Sequence, residues 1–410
     1  MAVEIMAPAG GWEALRAAIK AGADSVYLGV SELNMRSRGA KNFDVSELGE
    51  IVAVCSKADV KTYLTLNTVM YDEDLENAYR ICDAAKSAGV SAVIVMDISV
   101  IEYARSIGMA VHLSTQMNVS NLAAVRFFSK YCDVIVLARE LSLDQIAAIC
   151  SGVAAEDVRG PSGELVKIEV FVHGALCVSI SGKCYMSLAV YNESANRGKC
   201  LQNCRRKYLV TDEETGDELS VENGYVMSPR DLCCVGIVDR LIGAGVSVFK
   251  IEGRGRKADY VHTVVSVYKE ALGAVADGSY EAKVSGFKER LAAVFNRGFW
   301  ENGYYLGNKM GEWSDVYGSK ATTVKEHIGK CLNYYSEKKV GLFLVEAGEL
   351  SVGDKIVILG NKTGIVECVV ESMRVDDKDV SVAKKGDEVT MPVSEVVRAN
   401  DRLFAVRDNS

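Results

Sequence analysis

The sequence lacks any apolar run close to the roughly 20 residues that a membrane-spanning helix needs. It also lacks the G-x-S-x-G and H-E-x-x-H motifs, which mark one class of serine hydrolase and one class of zinc protease. No glycine-rich phosphate loop follows the first predicted strand, which disfavours a doubly wound nucleotide-binding sheet. Because no apolar run is long enough to span a bilayer, we expect no membrane association. Twelve cysteines without a secretory signal predict a reducing, cytoplasmic location.

The charge of the chain is acidic overall but basic in one place. The net charge of −8 argues against a protein that is basic throughout. Between Lys183 and Lys207, however, six basic residues stand against a single acid, Glu193. Because the local sign of charge decides what a surface attracts, this segment predicts an anionic substrate.

Four of the twelve cysteines lie close together, in the order C-x6-C-x15-C-x3-C, at Cys177, Cys184, Cys200 and Cys204. Four thiolates brought together suit zinc or an iron–sulfur cluster. The apolar alternation before Gly174 predicts a strand that leads into a loop, and cysteines on such a loop can converge on one metal site. Buried single cysteines or disulfides are the alternative, and the spacing leaves the metal open.

Short apolar strands alternate with amphipathic helical stretches, which predicts an α/β fold with parallel strands. The candidate strands span residues 3–7, 25–30, 61–67, 92–97, 110–114, 133–138, 168–173 and 246–252. Eight such strands predict a (β/α)8 TIM-like barrel. The barrel would be distorted if residues 225–230 form a ninth strand, or if they form the seventh and the cysteine segment is an insertion.

The pattern divides the chain into two domains. Residues 1–319 are predicted to form the barrel, with a cysteine-rich segment at residues 169–207 and a connector at residues 287–319 that packs across the barrel mouth. Residues 320–410 show short alternating runs without a helical period, which predicts a small all-β barrel domain. Residues 350–356 resemble a turn of the β-barrels in translation factors.

Polar residues gather where the predicted strands end, and in a barrel this is the face where function concentrates. We take Asn67, His173 and Glu252 as catalytic candidates. A histidine at a strand end can act as an acid–base group or can be structural, and both roles remain open for His173. The candidates for substrate binding are Arg36, Arg38, Gln116, Asn118, Arg139, Arg205 and Arg254.

Four stretches of the sequence resemble the peptidase U32 family. Residues 169–177 read E-x-F-x-x-G-A-L-C and residues 182–187 read G-x-C-x-M-S, which matches the family signature without a gap. Residues 249–254 (FKIEGR) and 7–10 (APAG) are similar to the same family. The resemblance covers essentially the whole chain. Despite the family's name, its better understood members are iron–sulfur proteins that support oxygen-independent hydroxylation of tRNA, ribosomal RNA or quinone precursors.

The resemblance implies a cofactor and a reaction. The cofactor is a [4Fe–4S] cluster held by Cys177, Cys184, Cys200 and Cys204, with Cys233 in reserve because a cysteine at this place joins the cluster in some members. The reaction is the hydroxylation of tRNA to 5-hydroxyuridine at the wobble position, with prephenate as the hydroxyl donor. A dicarboxylate such as prephenate calls for paired guanidiniums, which the candidate arginines can supply.

Three other functions stay open. A ribosomal RNA hydroxylase would use the same chemistry on another RNA. A U32-type peptidase or collagenase would need a nucleophile–base pair or an open metal site. A binding protein could carry the cluster for structure alone. The β domain favours RNA, because the U32 members that act on RNA resemble this layout, whereas the quinone-pathway members generally lack such a domain.

Overall fold

The computed structural model describes residues 3–218, 225, 227–301 and 312–409. The strands of its first part are β1 (Glu4–Ala9), β2 (Ser25–Leu28), β3 (Lys61–Leu66), β4 (Ala92–Val95), β5 (Val111–Leu113), β6 (Val134–Val136), β7 (Lys167–Gly174), β8 (Asp231–Cys233), β9 (Val248–Ile251) and β10 (Phe299–Trp300). All of these except β8 and β10 form a closed barrel of eight parallel strands. The predicted TIM-like barrel and its eight strands are confirmed.

Helices follow most of the barrel strands, and the seventh of them belongs to the cysteine segment. They are α1 (Trp12–Lys20), α2 (Leu48–Ser56), α3 (Asp72–Ala88), α4 (Ile98–Ser106), α5 (Leu122–Phe128), α6 (Leu143–Ala155), α7 (Met186–Tyr191), α8 (Val238–Gly243), α9 (Ala258–Asp277) and α10 (Tyr280–Ala293). Helix α3 ends at Gly89, whose φ of 82° lies in the left-handed region that a residue with a Cβ atom rarely adopts. Among the described residues, no helix is both long and apolar enough to cross a bilayer.

The barrel closes across a long insertion between β7 and β9. Strand β9 pairs with β7 on one side and with β1 on the other, while β8 runs antiparallel to the end of β7 and carries β10 on its outer edge. The prediction of a strand at residues 225–230 is wrong. In the described part of that range, Pro229 makes only an isolated bridge to Trp313, and a proline has no N–H group to extend a ladder. Residues 302–311 of the predicted connector lie outside the described residues.

A buried ion pair joins the two strands that close the barrel. The Lys250 Nζ on β9 donates to the Glu169 Oε1 on β7 at 2.7 Å, and the two side chains are 5% and 0% exposed. Burial raises the pKa of Glu169, and the ammonium group of Lys250 opposes that rise. Since neither charge can reach bulk water, each depends on the other.

The second part of the chain is all β, as predicted. Its strands are β11 (Thr323–Tyr335), β12 (Val340–Val345), β13 (Glu349–Ser351), β14 (Lys355–Gly360), β15 (Gly364–Val369), β16 (Met373–Val375), β17 (Lys378–Val380), β18 (Val382–Lys384), β19 (Glu388–Pro392) and β20 (Arg402–Asp408). Eight of them form one antiparallel sheet, in the order β15-β14-β20-β11-β12-β19-β16-β17, and β13 pairs separately with β18. The sheet packs against the barrel through Ile365 and Leu359, which meet Ala17 of α1 and Ala258 of α9.

We predict that the buried ion pair tolerates the loss of both charges better than the loss of one. The substitution Lys250→Met leaves the Glu169 carboxylate buried without its partner, which we expect to lower the free energy of unfolding by roughly 3–5 kcal/mol. The double variant Lys250→Met with Glu169→Met should recover most of that loss, since no unpaired charge remains. Chemical denaturation of the three proteins measures the difference.

The control is Lys283→Met, which breaks an exposed pair with Asp277 in which the charges are 3.9 Å apart. We expect it to leave the unfolding midpoint unchanged, because exposed pairs contribute little. A double variant as unstable as Lys250→Met alone would contradict the prediction.

Candidate active site

A cavity lies at the carboxyl ends of the barrel strands, which is the functional face of this fold. Loops after β2, β3, β5, β6, β7 and β9 contribute to its wall. Its lining is strongly positive, because among the described residues seven cationic side chains meet a single carboxylate, that of Glu252. The cations are Arg36, Arg139, Arg205, Lys250, Arg254, Arg256 and Arg297. Such a lining attracts an anion.

All four cysteines of the predicted metal site line this cavity: Cys177, Cys184, Cys200 and Cys204. They are free thiols, as are the other eight cysteines of the chain. Each of the four lies close enough to at least one other to interact with it electrostatically, and Cys204 does so with the other three. The structure thus brings together residues that are up to 27 positions apart in the chain.

Hydrogen bonds and one glycine hold the cysteine segment in place. The Asn196 side chain accepts from the Cys184 backbone N–H at 3.2 Å and donates to its carbonyl at 3.3 Å. Gly198 has a φ of 86°, and a Cβ atom there would collide with the Ser37 hydroxyl and the Asn34 carbonyl oxygen. Glycine is therefore required where the segment docks against the loop after β2.

Two of the thiols are made less acidic by their surroundings. Burial raises the pKa of Cys184, and it raises the pKa of Cys204 to about 11 although the neighbouring Arg205 guanidinium acts in the opposite direction. Thiols of this kind remain protonated at neutral pH unless an ion or a cluster binds them.

Four thiols that line one cavity offer ligands for zinc or for an iron–sulfur cluster. Zinc would draw all four sulfurs to about 2.3 Å from one point. In a [4Fe–4S] cluster each thiolate binds a different iron, so the sulfurs surround a common space. The placement of the four thiols around one cavity is compatible with the cluster.

Glu252 is the centre of a buried network at the end of β9. Its Oε1 accepts from the Arg36 Nη2 at 2.9 Å, and its Oε2 accepts from the Tyr27 hydroxyl at 3.2 Å. Burial acts to raise the pKa of Glu252, but Arg36, Arg139 and Arg254 outweigh it, and the pKa falls to about 2. Glu252 is therefore ionised at any physiological pH and cannot donate a proton.

Arg254 is buried and is hydrogen-bonded to two neighbouring side chains. Its Nη1 donates to the Asn34 Oδ1 and to the Thr65 hydroxyl, both at 3.0 Å, and burial lowers its pKa to about 10. A Cβ atom at Gly10 would collide with the Arg254 carbonyl oxygen, and one at Gly29 with its guanidinium. The A-P-A-G stretch of β1 therefore ends in glycine because the Arg254 backbone lies against it.

Amide side chains form the opposite part of the wall. The Asn67 Nδ2 lies 3.3 Å from the Ser114 hydroxyl and 3.4 Å from the Gln116 Oε1, and the Ser114 hydroxyl also donates to Gln116. Asn118 is placed differently, because its Nδ2 donates to the carbonyl oxygens of Gln116 and Ser181 at 2.8 and 3.1 Å. Asn118 thereby anchors the cysteine segment and does not line the cavity.

Besides Asn118, three predicted residues lie outside the cavity: His173, Arg38 and Cys233. A β-bulge between Phe171 and His173 turns the histidine away from the barrel interior. On the outer side it packs against aromatic rings of α9 and β10. Burial lowers the pKa of His173 to about 3, which matches a structural histidine. Arg38 pairs with Glu193 at 2.7 Å on the surface, and Cys233 is buried on β8.

Sequence analysis missed three of the cations that line the cavity: Lys250, Arg256 and Arg297. The first two lie inside or just after the F-K-I-E-G-R stretch, so their proximity to Glu252 was a usable signal. Arg297 follows α10 and belongs to the segment predicted as a connector. No spacing in the sequence relates it to the cysteines, and it reaches the cavity because β10 pairs with β8.

Comparison with known proteins places the chain among its relatives. The family model of peptidase family U32 matches residues 10–315. A collagenase from Porphyromonas gingivalis is 50% identical over 402 residues, which cover 98% of this chain and 97% of the relative. The tRNA hydroxylation protein P1 of Bacillus subtilis is 32% identical over 366 residues, which cover 87% of this chain and 83% of the relative. A 23S rRNA 5-hydroxycytidine synthase from Escherichia coli is 34% identical over 321 residues, which cover 76% of this chain and 46% of the relative.

These relatives carry names of two kinds, protease and RNA hydroxylation protein, and both kinds align with most of the sequence described above. The matched residues include all four cysteines of the cavity and the seven cations that line it. The chain belongs to peptidase family U32.

Proposed function

We propose that this protein supports the oxygen-independent hydroxylation of RNA, with a tRNA uridine as the substrate and 5-hydroxyuridine at the wobble position as the product. The observation that carries the proposal is that four free thiols and seven cations line one cavity at the functional face of a barrel. The relatives named for tRNA and rRNA hydroxylation support the same reaction class.

The cofactor we propose is a [4Fe–4S] cluster held by Cys177, Cys184, Cys200 and Cys204. When bound, such a cluster supplies one-electron redox chemistry. The Arg205 guanidinium is buried close to Cys177 and Cys204, and it acts to lower the pKa of Cys204 against the larger effect of burial. Its own hydrogen bonds go to Ser228, to the Pro229 carbonyl at 2.9 Å and to the Leu176 carbonyl, so its charge is fixed in place.

The remaining residues would bind and orient the substrates. The amides of Asn67 and Gln116 offer donors and acceptors to the edge of an extruded base, and uracil presents both. Glu252 keeps Arg36 in place and holds the Tyr27 hydroxyl without itself exchanging a proton near neutral pH. The excess of positive charge suits both an RNA backbone and a dicarboxylate hydroxyl donor such as prephenate.

Specific observations favour two other functions. A ribosomal RNA substrate is favoured by the similarity to the 23S rRNA 5-hydroxycytidine synthase. A peptidase or collagenase activity is favoured by the relative that is 50% identical and is named a collagenase. Against the latter, none of the four histidines of the chain lines the cavity, so a cysteine or serine nucleophile there has no histidine base beside it.

We predict that the four cysteines of the cavity, and no others, hold the metal. Protein purified without oxygen should contain about four irons per chain, and each of Cys177→Ala, Cys184→Ala, Cys200→Ala and Cys204→Ala should lose most of the iron and the visible absorption. Cys233→Ala should keep them, because Cys233 lies outside the cavity.

Cys368→Ala, which removes a half-buried thiol from the β domain, is the matched control. Iron retained in all four cavity variants, or zinc in place of iron, would rule out the proposed cluster.

We predict that the gene restores 5-hydroxyuridine in the tRNA of a strain that lacks this modification, and that Cys200→Ala does not. Mass spectrometry of nucleosides from tRNA and from ribosomal RNA measures both candidate products in the same cells. A gain of hydroxylated cytidine in ribosomal RNA alone would select the second RNA function. Cleavage of collagen by the purified protein, unaffected by Cys200→Ala and with no change in either RNA, would select the peptidase and overturn the proposal.

A further inference from the structure

The cations of the cavity differ in how far the protein already uses their hydrogen-bond donors. Arg36 is bonded to Glu252, Arg254 to Asn34 and Thr65, and Lys250 to Glu169. The donors of Arg205 go to one hydroxyl and two carbonyl oxygens. Each of these four side chains has donors bonded to the protein, as does Arg139, whose Nη1 donates to the Ala175 carbonyl at 3.2 Å although its Nε has no partner among the described residues.

Arg256 and Arg297 make fewer or longer polar contacts with the described residues than the other cations do. Within the described residues the Arg256 side chain makes no hydrogen bond or ion pair, and it is held by the faces of two rings, with its Cζ 3.5 Å from the Phe295 centroid and 5.9 Å from that of Tyr260. Arg297 is 7% exposed, and its Nε has no partner among the described residues. Its single ion pair, with Asp231, spans 3.5 Å.

The two guanidiniums lie on the same aromatic ring. The Arg297 Cζ is 5.2 Å from the Phe295 centroid, so Phe295 contacts both cations. Burial and the charge of Arg256 both act to lower the pKa of Arg297, and Asp231 is the carboxylate that pairs with Arg297. The carboxylates that act on the two buried cations are Asp231 and Glu252, and Glu252 is already bonded to Arg36, so an added anion would stabilise the pair further.

The backbone around Arg297 is fixed, so the site is preformed. The Asn296 side chain donates to the Val294 carbonyl at 2.9 Å and accepts from the Gly298 N–H at 2.9 Å. Gly298 has a φ of 79°, and its carbonyl oxygen accepts from the Asp231 N–H at 2.9 Å. A rigid pair of guanidiniums loses little entropy when it binds a ligand.

We propose that Arg256 and Arg297 form the binding site for a carboxylate of the small hydroxyl donor, an inference that rests on the proposed function. Guanidiniums pair with carboxylates through two parallel hydrogen bonds, and the unused donors of this pair can supply them. The depth of Arg297 favours a small ligand over the phosphates of a polymer, which stay at the mouth of a cavity. The site lies beside the cysteines, since Arg297 and Cys204 interact electrostatically.

We predict that neutralising either arginine weakens the binding of prephenate to protein purified without oxygen with its metal content intact. Isothermal titration calorimetry should show an affinity about tenfold lower or worse for Arg256→Gln and for Arg297→Gln, because a bidentate charged contact is lost. Arg297→Lys should fall between wild type and Arg297→Gln, since lysine keeps the charge but not the paired donors.

Arg290→Gln is the matched control, because Arg290 pairs with Glu270 on the surface, away from the cavity. Arg297→Gln also removes the partner of buried Asp231, so thermal unfolding of each variant checks that it is folded. Arg256→Gln breaks no ion pair within the described residues and keeps the test valid if Arg297→Gln does not fold.

Three results would overturn the inference. The first is a failure of the wild-type protein to bind prephenate, whatever its effect on RNA. Variants that bind prephenate normally but have a shifted redox midpoint would show that the two arginines serve the cluster. Variants that lose affinity for tRNA but not for prephenate would assign the site to RNA phosphate. None of these results depends on hydroxylation being observed, so the inference and the proposed reaction can fail separately.

Discussion

The pairing of β7 with β9 is the constraint on which the rest of the structure depends. The two strands are separated by the whole cysteine segment, yet Glu169 lies beside Val248, and Phe171 beside Lys250. A buried ion pair between Glu169 and Lys250 joins them inside the barrel. Because parallel strands end at the same edge, the loop that carries Cys177 and the loop that carries Glu252 must meet. The candidate site exists because the barrel closes at this position.

The burial of charge is the second physical constraint on the site. A cavity lined by seven cations and one carboxylate would repel itself unless most cations were compensated. The protein compensates them with Glu252, Glu169, carbonyl oxygens and amide oxygens, and it uses glycines at positions 10, 29 and 198 so that backbone and side chains can approach closely. Two guanidiniums on Phe295 remain poorly compensated. A site that binds anions needs some cations that the protein does not fully pair, since complete internal pairing would leave no positive charge for the ligand.

The relatives are named for two activities, proteolysis and RNA hydroxylation, and the two activities need different chemical groups in the cavity. Proteolysis by a nucleophile needs a base near neutral pKa, whereas the ionised Glu252 and the buried His173 both have pKa values well below that range. The proposed redox chemistry on an anionic substrate needs cysteines that can bind a cluster and cations that attract the substrate, and four thiols and seven cations line the cavity. The arrangement of side chains therefore supports the hydroxylation that we propose more than it supports a collagenase activity.

The sequence by itself determined the parallel barrel, the all-β domain and the cavity cysteines, because alternation of apolar residues and the spacing of four cysteines are local signals. It also indicated the strand-end positions of Arg36, Asn67, Glu252 and Arg254. Only the tertiary structure decided which of these donors are already used, and that Arg297 joins them. The bulge that turns His173 outward and the β8–β10 pairing that brings Arg297 inward depend on contacts between distant segments. Such contacts leave no periodic pattern in the chain, so no reading of the sequence alone could reveal them.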